Sequence, residues 1–193
     1  MTLLQGDSQI GKNDRMLQAE SAGGGRVDPE AGLQKPGYLL RDFALTSTLG
    51  ARVQISDYRG RSNLVIVFSG DDASELDFLQ DAAERRKEIT EQDATVIVAL
   101  QPSPQNVHSI DKWQNLPFPI LIDDDGRIHR LYGALDEQKK PFPVIYVTDR
   151  FGEIVSVYAV LEGKKLPGTD EVLRTLEFIN SQCPECEPPE WPR

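Results

Sequence analysis

Hydrophobic and polar positions change rhythm at Tyr38. Before it the chain carries Gly23-Gly24-Gly25, scattered polar residues and no sustained period. Residues 1–37 are therefore expected to form a disordered arm. After it, Phe43, Leu45, Val53 and Ile55 alternate with polar residues around Leu49-Gly50, the pattern of a small hairpin. Leu64-Val65-Ile66-Val67-Phe68 is then a continuous apolar run, which predicts a strand over 63–68 buried on both faces. Ser69-Gly70-Asp71-Asp72 supplies a turn and an N-cap, and Ala73 to Thr90 reads as one helix with Leu76, Leu79 and Ala83 inward.

The alternation repeats. A second buried strand is expected over 94–100, a helix over 104–115 and a third strand over 118–122. Asp123-Asp124-Asp125-Gly126 reads as a solvated turn before a short helix over 128–132. Strands follow over 144–148 and 154–160, joined by a hairpin at Asp149-Arg150-Phe151-Gly152. A last helix over 169–180 presents Val172, Leu173, Leu176 and Ile179 on one side. Strands that alternate with helices need crossover connections, and the final strand pair needs an antiparallel edge. The expected class is α/β: a three-layer sandwich with a mixed central sheet flanked by helices.

Composition narrows the partners. With 193 residues, 39% hydrophobic and 27% charged, the chain suits a single domain with tails. The 31 acidic residues exceed the 21 Lys and Arg, for a formal net charge of −10, which argues against nucleic acid as a partner. Arg85, Arg86 and Lys87 lie between Glu84 and Glu88, so no clean basic patch is readable. No apolar run approaches the roughly 20 residues of a membrane span, and residues 1–10 lack the pattern of a secretory signal. A cytoplasmic location is the expectation.

The candidate chemistry lies at the end of the chain. The only two cysteines form Cys183-Pro184-Glu185-Cys186, a spacing that can close a disulfide, act as a redox dithiol or offer two thiolates to zinc. Glu185, Glu187 and Glu190 crowd it, and nearby negative charge disfavours a thiolate. No cofactor is expected. In an alternative reading, two tails of a homodimer place four thiolates on one shared zinc. His108 and His129 show no ligand spacing and read as surface groups. Trp113 reads as core or interface, and Pro188-Pro189-Glu190-Trp191-Pro192 as an extended strap. The domain expectation is thus an arm over 1–37, a folded domain over 38–182 and a CxxC and Pro-rich strap over 183–193.

Three passages carry a family resemblance. Arg41-Asp42-Phe43-Ala44-Leu45-Thr46, continuing through Gly50, Asp57-Tyr58-Arg59-Gly60 and Asn63 to Phe68, resembles the start of peroxiredoxins of the alkyl hydroperoxide reductase and thiol-specific antioxidant group. Phe118-Pro119-Ile120-Leu121-Ile122-Asp123, Gly126 and Tyr132-Gly133 look like a later passage of that family. Pro143 to Asp149 with Gly152 is similar to the cis-proline strand of thioredoxin-like proteins. The resemblance runs from about 37 to 180 and implies a thioredoxin-like fold, thiol-dependent oxidoreductase chemistry, and a thioredoxin-type reductant or other protein partner.

The family's catalytic positions do not carry over. Its peroxidatic cysteine follows a Pro-x-x-x-Thr/Ser-x-x-Cys pattern, which here falls on Gly70, Ser74 and Asp77. A thioredoxin-type CxxC alignment falls on Ala73 and Leu76, again without a thiol. The thiolate-stabilising arginine falls near Pro143. Ser74, Asp77 and Pro143 thus mark a vestigial family site. Any thiol chemistry passes to Cys183 and Cys186, which leaves a non-catalytic binding or scaffold module as the competing reading.

Overall fold

The computed structural model describes residues 32–69, 73–102, 113, 115–160 and 165–182. Seven strands form one mixed sheet: β1 (Ala44–Ser47), β2 (Arg52–Gln54), β3 (Asn63–Ser69), β4 (Ala94–Leu100), β5 (Ile120–Ile122), β6 (Val144–Thr148) and β7 (Ile154–Ala159). Their spatial order is β2-β1-β5-β4-β3-β6-β7. The inner strands β3, β4 and β5 run parallel, while both flanks are antiparallel. Four α-helices stand among the described residues: α1 (Ala73–Glu84), α2 (Arg86–Glu91), α3 (Arg127–Leu131) and α4 (Thr169–Ser181). None is long and apolar enough to cross a membrane.

All seven residues of β3 are buried, as its unbroken apolar run predicts. Its period of two sends Val65 and Val67 to one face and Leu64, Ile66 and Phe68 to the other. The first face is covered by Phe78, Leu79 and Ala82 of α1, Ile89 of α2, and Val172, Leu173, Leu176 and Ile179 of α4. Trp113 is buried in this cluster, in line with the core reading. The second face packs against Leu40, Phe43, Ile55, Ile128 and the rings of Tyr132 and Tyr146. Two cores on either side of one sheet make the three layers.

Two details differ from the sequence expectation. The single helix over 73–90 is two helices, broken at Arg85 (φ −96°, ψ 18°), whose guanidinium reaches Glu88 and Asp170 at the start of α4. These partners are largely exposed, so the bridge orients α2 more than it stabilises it. The inward stripe of α1 is Phe78, Leu79 and Ala82, leaving Leu76 and Ala83 half-buried. The aromatic Phe78 buries more apolar area than Ala83, and that turns the helix about its axis.

The packed region also begins earlier than residue 38. Gly37 N donates to Ile154 O at 2.8 Å, Gln34 N donates to the Tyr146 hydroxyl at 3.1 Å, and Leu33 packs on the second core. Residues 1–31 of the expected arm, most of the helix expected over 104–115 and the strap over 183–193 lie outside the described residues. Gly133 fixes the early segment in place. Its φ is +67°, and a Cβ there would stand 2.3 Å from the carbonyl of Gly32.

Gly133 and Gly50 therefore separate two costs. Gly50 has φ +81° with nothing within 4 Å, so Gly50→Ala is expected to cost only the left-handed backbone penalty of about 1 kcal/mol. Gly133→Ala must also displace the Gly32–Leu33 backbone and is expected to cost about 3 kcal/mol or more. Urea unfolding of both variants checks this; equal losses would show that the Gly32 contact contributes nothing.

Candidate functional site at the carboxyl pole of the sheet

Parallel strands β3, β4 and β5 end at one pole, where α/β sheets usually open their ligand crevices. β3 ends in Ser69, 1% exposed, and the first turn of α1 places Glu75 beside it, also 1% exposed. A carboxylate is buried only when donors satisfy it, and Ser69 Oγ donates to Glu75 Oε1 at 3.1 Å. The start of a helix favours such an acid, because the unpaired N–H groups make that end positive.

The family-site residues come to this same pole. Ser74 and Asp77 share the beginning of α1 with Glu75, Asp77 being exposed to solvent. Val144 of β6 lies opposite Phe68, so buried Pro143 falls next to the end of β3. Its carbonyl accepts from Val160 N at 3.0 Å. Topology thus brings Pro143, Ser69 and the first turn of α1 together, with oxygen functions and no sulfur there among the described residues. A serine hydroxyl and a carboxylate do not pass through a sulfenic acid, unlike a thiolate. Cys183, Cys186, Asp71, Asp72 and His108 lie outside the described residues.

The same pole holds a pair that sequence reasoning missed. The turn after β5 is not a solvated acidic loop: Asp123 is 1% exposed, and only Asp124 and Asp125 face water. Gly126, with φ 63°, turns the chain into α3. Asp123 then accepts from Ile128 N at 3.0 Å and from His129 N at 2.8 Å, and its Oδ2 meets His129 Nδ1 at 2.7 Å. Burial pushes the Asp123 carboxyl up, but the bonds from His129 and Ile128 outweigh it and hold the group below the usual carboxylate range.

His129 is likewise not a surface group. It is fully buried, edge-on to Phe68 with ring centroids 5.2 Å apart. Its Nε2 has no hydrogen-bond partner among the described residues, nor has Gln101 Oε1 in the next loop. Gln101 fills the space a Cβ on Gly126 would need, 2.4 Å from its Nε2. A ring closed off from solvent cannot exchange protons with a substrate, so the pair braces α3 against β3. The sequence signal for it is an Asp and a His six residues apart, across a glycine turn that opens a helix. No group of three or more His, Cys, Asp or Glu residues is placed to hold a metal ion among the described residues.

Comparison with known proteins agrees with this architecture. The AhpC/TSA family model matches residues 36–157. AhpC of Mycobacterium tuberculosis is 20% identical, with 77% of this chain and 94% of that chain covered and a TM-score of 0.62. Peroxidoxin BcpB from Mycobacterium tuberculosis is 18% identical, with 77% and 99% covered and a TM-score of 0.65. PrxQ of Xylella fastidiosa is 18% identical, with 77% and 98% covered and a TM-score of 0.64. At these identities the likeness shows the fold, which is thioredoxin-like. No curated protein matches the chain.

The Asp123–His129 pair has a pH signature. A carboxyl whose folded pKa lies below its unfolded value of about 3.9 stabilises the fold above that pH. The contribution is lost as pH falls through the lower, folded value. Asp123→Asn keeps the shape and removes the charge, and is expected to cost about 2 kcal/mol at pH 7. Urea unfolding between pH 3 and pH 7 should show the gap between the two proteins closing at the acid end. A gap that stays constant would mean that Asp123 is not ionised in the fold.

Proposed function

Because the chain belongs to the AhpC/TSA family, we propose that it is a thiol–disulfide oxidoreductase whose redox pair is Cys183 and Cys186 rather than a cysteine in the first turn of α1. One observation carries this reading. The stretch matched to the family, residues 36–157, contains no cysteine, and the chain's only two thiols stand in a CxxC immediately after Gln182, which caps α4. The cap of α4 hangs on the core through Ile179, so the pair is tethered to a fixed point of the fold.

The reaction is a dithiol exchange. One thiolate attacks a sulfur of the substrate disulfide, the S–S bond breaks, and its electron pair leaves on the second substrate sulfur, which takes a proton. The other cysteine of the pair, as its thiolate, then displaces the first substrate sulfur from the mixed disulfide. The products are a Cys183–Cys186 disulfide and a reduced substrate dithiol, two electrons having passed to the substrate. An external dithiol of the thioredoxin type returns the pair to its reduced form. The glutamates at 185, 187 and 190 keep the nucleophile slow, which suits exchange with a docked partner better than scavenging of a dilute peroxide.

The test is a redox titration of the full chain, with alkylation and mass spectrometry at each potential. Two alkyl groups should be added at the reducing end and none at the oxidising end, in a single two-electron transition. Cys186→Ser should trap the mixed disulfide at Cys183, or Cys183→Ser should trap it at Cys186. Two thiols alkylated equally at every potential would overturn the reading.

A further inference from the structure

The opposite, amino pole of the sheet carries a cleft of about 800 Å3 between the start of β3, the turn joining β6 to β7 and the end of α4. Its charge is one-sided: Glu91, Asp93, Asp149 and Glu153 line it against the single guanidinium of Arg150. Arg150 reaches Asp93 at 3.9 Å, and Lys87, outside the lining, reaches Glu91 at 3.7 Å; both are exposed pairs of small strength, and the lining stays net acidic. Phe178 of α4, 56% exposed, forms an apolar wall.

Beneath these groups Asn63 is fully buried. Its Nδ2 donates to Gln92 O and Asn180 Oδ1, both at 3.0 Å. Because a main-chain carbonyl can only accept, the amide orientation is settled, and Oδ1 is the atom left over. It has no hydrogen-bond partner among the described residues. Asp149 is engaged by the N–H groups of Phe151 and Glu153. An unpaired acceptor, the carboxylates of Glu91, Asp93 and Glu153 and an exposed ring call for a ligand that donates hydrogen bonds, is positively charged and has an apolar stem. Lysine and arginine side chains have all three properties, and their cationic heads also bind aromatic faces.

Covalent geometry ties the cleft to the thiols. Gln182 lines it, and Cys183 is the next residue in the chain. A glutamate-rich segment such as 185–190 would meet like charges in this cleft. We infer that the amino-pole cleft docks a basic peptide segment of the protein whose disulfide is exchanged at Cys183 and Cys186. The inference rests on the thiol–disulfide reading for what happens after docking, while the docking itself is independent of sulfur. A Lys or Arg head enters among Glu91, Asp93 and Glu153, its methylenes lie along Phe178, and the partner's disulfide is held within reach of the tail.

The test uses the full chain and a fluorescein-labelled ten-residue peptide bearing four lysines, with a glutamate counterpart as control. Fluorescence anisotropy should show the lysine peptide binding equally to the wild type and to Cys183→Ser/Cys186→Ser. Glu91→Gln/Asp93→Asn and Phe178→Ala change exposed side chains, and asparagine keeps the left-handed backbone of residue 93 (φ 51°) accessible. Each should weaken binding at least tenfold, as should 0.5 M salt for the wild type. Equal binding of the glutamate peptide, or unchanged affinity in both variants, would overturn the docking inference. Disulfide exchange that shows no preference for lysine-flanked substrates would overturn it too, and leave the thiol reading standing. A cleft that binds the lysine peptide beside thiols that never cycle would overturn the thiol reading alone.

Discussion

The complete burial of β3 is the constraint on which the rest of the molecule depends. Its main chain is paired on both edges, to β4 in parallel and to β6 in antiparallel register, and no residue of it faces water. Five central residues are apolar and divide between two cores. The two ends are polar, so each needs a partner inside the protein. At the carboxyl end Ser69 finds Glu75, and at the amino end Asn63 finds Gln92 and Asn180. The character of each pole follows from how the end of this one strand is satisfied.

Aromatic hydroxyls extend the same logic to the second core. Tyr132 OH donates to Arg41 O, and Tyr146 OH donates to Tyr132 O at 2.6 Å. Burial pushes Tyr146 up to about 12 and raises Tyr132 further, so both remain donors across the ordinary pH range. They clamp the segment before β1 and the turn after α3 to the sheet. With the Asp123–His129 pair, the carboxyl pole becomes a braced hydrogen-bonded end cap. The buried carboxylates of Glu75 and Asp123 are held there by hydrogen bonds within the fold.

A shared fold does not by itself fix where reactive groups lie. The AhpC/TSA match and the structural likenesses rest on the sheet and its covering helices, which any chemistry can use. In this chain Glu75 is buried in the first turn of α1, the cysteines stand at positions 183 and 186, and an acidic cleft lies where α4 ends. The net charge of −10 says nothing of this arrangement, because a sum over residues carries no positions.

The strands, the hairpins and the inner face of α4 were legible in the sequence, since local periodicity reports directly which side of an element is dry. Ser74, Asp77 and Pro143 lie near one another because the start of α1 and the start of β6 both adjoin the end of β3. Burial of Glu75, Asp123 and His129 was not legible. A polar residue is buried or solvated according to whether distant groups satisfy it, and Asp123 reads as a turn residue until α3 folds its N–H groups and the His129 ring over it. The break at Arg85 brings its guanidinium to Asp170 of α4, 85 residues downstream, a contact that no local pattern encodes. By itself the sequence determined the elements, their order and the confinement of cysteine to positions 183 and 186. Only the tertiary structure decided which charged groups became supports of the fold and which stayed free to meet a partner, because that depends on contacts between residues far apart in the chain.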